Sequence, residues 1–153
     1  MAPQTSAPTT PVDPAETAAR LRLSVTRLAR RLRQESTSGH TPSQLSALSV
    51  VVSHGPMTLG ALADHERVAP PSITKVVTKL EAEGLVTRAP DPTDGRVTHV
   101  EATRAGQALI TESRRRKTTW LAARLRELPP SEQARLAAAL DVLEHLTQQD
   151  DDR

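Results

Sequence analysis

No cysteine occurs in the 153 residues, which excludes disulfides, thiolate metal sites and thiol redox switches. Phe and Tyr are also missing, and there is a single Trp. Leu, Val and Ala must therefore fill the interior, and Leu and Ala are the strongest helix formers, so the composition predicts a mainly α chain. No apolar run approaches the roughly 18 residues that a membrane span requires. The N-terminal stretch MAPQTSAPTTPVDP has neither a basic start nor an apolar segment and does not read as a secretory signal. Its Pro, Thr and Ala content predicts a disordered tail over 1–13. His40, His54, His65, His99 and His145 match no zinc-ligand spacing. No nucleophile elbow or Gly-rich phosphate loop is present, so catalysis has no support. Together these absences point to a single-domain, soluble, cytoplasmic protein without enzyme activity, cofactor, metal or membrane association.

What is there is arginine. The net charge is only +2, yet the sequence pI is about 9.7, because Arg outnumbers Lys and nothing else titrates near pH 9. The cations are unevenly spread. Arg20, Arg22, Arg27, Arg30, Arg31 and Arg33 crowd one segment, and Arg114, Arg115, Arg116 and Lys117 another, while acids and bases nearly balance over 58–104. Net charge alone therefore gives little support for nucleic-acid binding, and the case must come from local patterning.

Asp13-Pro14 reads as the start of a first helix, with Asp as N-cap and Pro in the first turn. Leu21, Val25, Leu28 and Leu32 form a narrow apolar seam of the width expected where one helix meets another. A second helix runs from Thr41 to about Ser53, with Leu45, Leu48, Val51 and Val52 as its stripe, and His54-Gly55-Pro56 ends it. Thr58 caps a short third helix. Val68-Ala69-Pro70-Pro71 separates it from a fourth, which begins near Pro71, buries Ile73, Val76, Val77 and Leu80, and stops at Gly84. Two short helices joined by a tight turn suggest a helix-turn-helix. On the second of them Ser72, Thr74, Lys75, Thr78 and Lys79 share the polar face, and the acids Glu81 and Glu83 come only at the far end. Hydroxyls, free backbone N–H groups, a favourable dipole and a lysine at a helix start suit phosphates and base edges. The same pattern also suits an ordinary solvated face.

Two β-rich stretches follow, 85–89 and 96–101, with DPTDGR between them as the turn. A helix-turn-helix followed by a two-stranded ribbon is a winged helix. The polar loop would then meet DNA, with Arg96 entering a minor groove and Asp94 pairing with it to aim it. A solvent-exposed turn with an idle Asp–Arg pair is the alternative. After the wing, Thr103 opens a long helix that Pro129-Pro130 breaks, and Ser131 opens another in which Leu136, Leu140 and Leu143 form a second seam. The seams exceed what a small central module covers, so a second copy is the expected partner. Trp120 reads as a core anchor and the RRRK run at 114–117 as a solvated turn.

The order LSALSVV…MTLGALADHERVAPPSITKVVTKLEAEGLVTRAPDPTDGRVTHVEATRAG, from Leu45 to Gly106, resembles the MarR family of bacterial transcription regulators. The resemblance implies a homodimer on palindromic double-stranded DNA, usually a repressor, released by a small anionic or aromatic effector or by oxidation; without a thiol, Cys oxidation is not the signal. It implies recognition-helix contacts at Pro71, Ser72, Thr74, Lys75, Thr78 and Lys79, a minor-groove Arg96 oriented by Asp94, and a phosphate contact at Arg88. It makes His54 a ligand candidate. Lys75 stands where the family commonly has Arg, which weakens a bidentate guanine contact, and Gly95 stands where a second wing arginine is frequent. The expected layout is a winged helix-turn-helix over 41–102, flanked by dimerisation helices over 14–38 and 103–149, with an acidic end at 150–153. The alternative function is a winged-helix protein–protein interaction module that does not bind DNA.

Overall fold

The computed structural model describes residues 13–36 and 39–148; the expected tail over 1–13, apart from Asp13, and the acidic end lie outside them. The helices are α1 (Pro14–Glu35), α2 (Pro42–His54), α3 (Leu59–Glu66), α4 (Pro70–Ala82), α5 (Arg104–Arg126) and α6 (Pro130–Gln148). The strands are β1 (Met57–Thr58), β2 (Val86–Pro90) and β3 (Thr98–Ala102). The architecture is the winged helix-turn-helix flanked by terminal helices, with one addition. The expected hairpin is a three-stranded antiparallel sheet of order β1-β3-β2. Two-residue β1 is too short to show alternation in the sequence, and it exists because Met57 and Thr58 pair with Val100 and His99. The hairpin strands also sit slightly later than expected, with Val86 opposite Ala102 and Pro90 opposite Thr98.

Local chemistry explains the helix ends. The Asp13 carboxylate accepts from the Ala15 N–H at 2.9 Å. Thr41 and Gln44 form a reciprocal capping box, which satisfies two donors that the helix itself leaves unpaired. Thr58 and Thr103 cap α3 and α5 through their hydroxyls. Helix α4 ends in a Schellman motif. The Leu85 N–H donates to the Leu80 carbonyl and the Gly84 N–H to that of Glu81, both at 2.9 Å, with Gly84 at φ +71°.

The core lies under the helix-turn-helix and the sheet. Leu48, Val51, Leu62, Val77, Leu80, Val86 and Val100 are its largest fully buried side chains, all aliphatic, and Ile110 joins α5 to it. Each such side chain contributes about 1.5–3 kcal/mol on burial. Helix α5 comes so close to the sheet that a Cβ on Gly106 would stand 2.1 Å from the Leu85 carbonyl oxygen. The Thr103 hydroxyl bridges the same junction by donating to the Gly84 carbonyl at 2.7 Å. Trp120 is partly buried and lies between the guanidinium groups of Arg31 on α1 and Arg124, 5.8 and 5.7 Å from the ring centroid, so it anchors α1 against α5 by cation–π contact. Helices α1 and α6 have no buried residue. Their seams are open to solvent in the single chain, with Val25 53% and Leu140 49% exposed.

Candidate nucleic-acid interface

The turn between α3 and α4 is made by Arg67 in the left-handed region (φ 53°, ψ 44°), with its N–H and that of Val68 donating back to Asp64 and Ala63. It presents α4 with Ile73, Val77 and Leu80 buried and Pro71, Ser72, Thr74, Lys75, Thr78 and Lys79 exposed, the division expected from the sequence. Neither lysine has an ion-pair partner among the described residues. With the N-terminal end of α2, four of these residues, Thr74, Lys75, Thr78 and Lys79, line an open groove of about 400 Å³.

One expectation for this helix start fails. Prolines occupy its first two positions and carry no N–H, and the Ser72 N–H is taken by the Ala69 carbonyl at 2.9 Å. The dipole remains, but the donors must come from the Lys75 and Lys79 ammonium groups and the Ser72 hydroxyl. The threonines are also partly committed. Thr74 Oγ1 donates to the Pro70 carbonyl and Thr78 Oγ1 to that of Thr74. Thr78 Oγ1 further accepts from Arg88 Nη2 at 3.0 Å. These hydroxyls can still accept but have no proton left to give, and their methyl groups face outward with the helix surface.

Arg88 sits differently from the expected phosphate contact. From β2 its guanidinium turns onto α4, bonded to Thr78 and with Nε 3.4 Å from Glu81 Oε2. It ties the wing to the helix. Arg96 is the opposite case, with its side chain 95% exposed at the wing. Asp94 stands 3.9 Å from its Nε, too far for a hydrogen bond, and instead accepts from the Arg96 backbone N–H at 3.1 Å. Asp94 therefore sets the backbone rather than the guanidinium.

A residue that the sequence did not single out organises the loop. Asp91 Oδ1 accepts from the Thr93 hydroxyl and from the N–H groups of Thr93 and Asp94, and Oδ2 accepts from His99 Nε2 at 2.9 Å. The Thr93 hydroxyl, then the Thr93 and Asp94 N–H groups, hold the Asp91 carboxyl far below the usual carboxylate range. Asp-Pro signals a turn, but a histidine eight residues on gives no local sign that it will close over it.

His54 does not sit at a cavity as a ligand would. It is exposed, with Nδ1 3.0 Å from the Val50 carbonyl and its ring 4.8 Å from that of His65. The enclosed space lies elsewhere, among α1, α2 and α5, with a volume of about 350 Å³. Arg33, His40, Arg114 and Lys117 line it with four serines, and no carboxylate and no aromatic ring do so among the described residues. Arg114 reaches Ser53 at 2.9 Å and Ser49 at 3.3 Å. Half of the RRRK run thus turns to the cavity. Arg115 and Arg116 instead pair with Glu112, whose carboxyl they lower to about 2. The cations meet from distant parts of the chain, so no local motif announces the cavity.

Residues 40–98 match the profile of the MarR family. The chain is 45% identical over 130 residues to an HTH-type transcriptional regulator of Mycobacterium tuberculosis, covering 84% of this chain and 91% of that protein. A candidate transcriptional regulator of Pseudomonas aeruginosa superposes with a TM-score of 0.79 at 33% identity, over 90% of this chain and 99% of its own. A variant of MepR from Staphylococcus aureus, solved bound to an oligodeoxyribonucleotide, shares the fold with a TM-score of 0.68 at 19% identity, over 85% and 97% of the two chains.

Proposed function

This chain belongs to the MarR family and is a DNA-binding transcriptional regulator, not an enzyme; on that premise we propose that it acts as a homodimeric repressor released by a small anionic molecule. The carrying observation is the exposed face of α4, where Lys75 and Lys79 stand without ion-pair partners next to a groove. Laid in a major groove, Lys75 with Pro71, Ser72 and Thr74 meets base edges, and Lys79 meets a phosphate. Arg96, with nothing on the protein holding its guanidinium closely, enters the adjacent minor groove, where the potential favours a cation. Thr78, Arg88 and Asp94 act one step back, by shaping α4 and the wing. Duplex DNA as partner is supported by the nucleotide-bound MepR neighbour.

The open seams of α1 and α6 support a second copy, since eight large apolar side chains, Val25, Leu28, Leu136 and Leu140 among them, stay exposed in the single chain. A two-fold pair presents two α4 helices to inverted half-sites. The cavity supports an anionic effector. Its cationic lining faces no carboxylate among the described residues, and it lies where α1 and α5 leave the winged helix, so a ligand there alters the spacing of the two copies. Selection from a random duplex pool with the full chain tests the assignment. It should enrich an inverted repeat bound at sub-micromolar affinity that falls steeply with salt. A panel of small carboxylates and phosphates should contain a releasing ligand whose effect Arg114→Ala removes. Enrichment of no sequence, or a flat salt response, would refute DNA reading by this face.

A further inference from the structure

We propose that Asp91 and His99 form a lock that positions the wing, so that Arg96 is held ready for DNA before any DNA arrives. The inference rests on the minor-groove role of Arg96 proposed above. Residues 91–97 form a seven-residue connection that contains Gly95 and no residue of the fully buried core. A connection of that kind is mobile unless polar contacts hold it, and ordering it on binding would weaken the complex.

Asp91 supplies those contacts. Its backbone N–H donates to the Val97 carbonyl at 2.8 Å and closes the loop base, and the Val97 N–H returns to the Asp94 carbonyl at 2.9 Å. Its Oδ1 gathers the first half of the loop through Thr93 and Asp94. Its Oδ2 is fixed by His99, which stands on β3 opposite Ala89 on one side and Thr58 of β1 on the other. Because a carboxylate only accepts, His99 must carry its proton on Nε2. The chain of support runs from the central strand through the imidazole to the carboxylate, then to the Asp94 N–H. From there the Asp94 carboxylate fixes the Arg96 N–H. No link in it touches the guanidinium of Arg96, which is left to its target. Asp91 and His99 are positioning residues, with half-buried side chains turned to one another.

The test is a coupling measurement by fluorescence anisotropy on the duplex enriched by the full chain. Asp91→Ala should weaken binding about tenfold, the cost of ordering a few loop residues at the moment of binding. In an Arg96→Ala background the same change should cost less than about twofold, because there is no longer a cation to position. His99→Gln, which keeps an N–H donor, should bind within about twofold of wild type, whereas His99→Val should match Asp91→Ala. The melting temperature should be unchanged throughout. A variant that melts early is replaced by Asp91→Asn, in which the oxygen facing Thr93 and Asp94 is kept. Equal losses with and without Arg96, or no loss from Asp91→Ala while Arg96→Ala is crippled, would overturn the lock. Wild-type binding by Arg96→Ala would instead overturn the minor-groove role itself.

Discussion

Arg88 separates two accounts of the wing base, and replacing it by Ala distinguishes them. A basic residue next to a recognition helix is normally taken for a phosphate contact. Here the side chain is 28% exposed, donates to Thr78 at 3.0 Å and faces Glu81, itself 39% exposed, at 3.4 Å. The Nε–H is buried without an aligned acceptor. A hydrogen bond from a charged donor contributes about 1.5–3 kcal/mol when well enclosed. Solvent at Glu81 and the poor alignment of Nε reduce this, so Arg88→Ala should lower stability by about 1 kcal/mol. Losing the tie between β2 and α4 should weaken DNA binding about fivefold at every salt concentration. The decisive quantity is the slope of log K against log salt, which changes by about 0.9 for each phosphate that the protein ceases to neutralise. Arg88→Ala should keep the wild-type slope, and Lys79→Ala should reduce it by about 0.9 without loss of stability. Urea denaturation and anisotropy titrations across salt concentrations supply both numbers. A slope reduced by about 0.9 in Arg88→Ala, with wild-type stability, would show that the guanidinium leaves α4 for a phosphate and refute its structural role.

Three further outcomes concern the junction, the seams and the wing. Gly106→Ala places a Cβ 2.1 Å from the Leu85 carbonyl, so α5 must retreat from the sheet; the cost should be at least about 1–3 kcal/mol, seen as a clear drop in melting temperature, and an unchanged value would refute the close approach. Val25→Asp or Leu140→Asp, on the open seams of α1 and α6, should give a monomer in sedimentation and abolish DNA binding where wild type saturates, while a dimeric variant would place the interface elsewhere. The Asp91 carboxyl titrates below its unfolded value, so its contribution is complete above the ordinary carboxylate pKa and is lost only as pH falls through the more acidic folded value. The Thr93 and Asp94 amide signals should therefore keep their hydrogen-bonded shifts at pH 4, and a midpoint near that pH would contradict the loop geometry.

Most of the fold is legible in the sequence because local rules and burial agree in it. Asp13, Thr41, Thr58 and Thr103 cap helices as their residue types require, Gly84 terminates α4, and the stripe Ile73, Val77, Leu80 is buried. The exposed face of α4 follows from the same periodicity. Partnering is not legible. Arg88 and Arg96 look alike in the sequence, but one bonds to Thr78, ten residues upstream, and the other is solvated. Asp94 and Asp91 flank one turn, and only the long-range pairing of β3 brings His99 to Asp91. The double proline does mark a helix start, but its lack of N–H donors also removes the backbone anion site expected there. The cavity needs α1, α2 and α5 side by side before Arg33, His40, Arg114 and Lys117 share a wall.

The central claim is that α4 reads a major groove while Arg96 reads a minor groove. Inosine–cytosine pairs test it most directly, because they present the minor-groove face of A·T and the major-groove face of G·C. In the selected duplex, replacing A·T by I·C under α4 should abolish specific binding. At the flanking positions reached by the wing, I·C should bind as A·T does and G·C should bind more weakly, and Arg96→Ala should erase that difference. Loss of binding with I·C in the flanks, or discrimination that survives Arg96→Ala, would contradict the account.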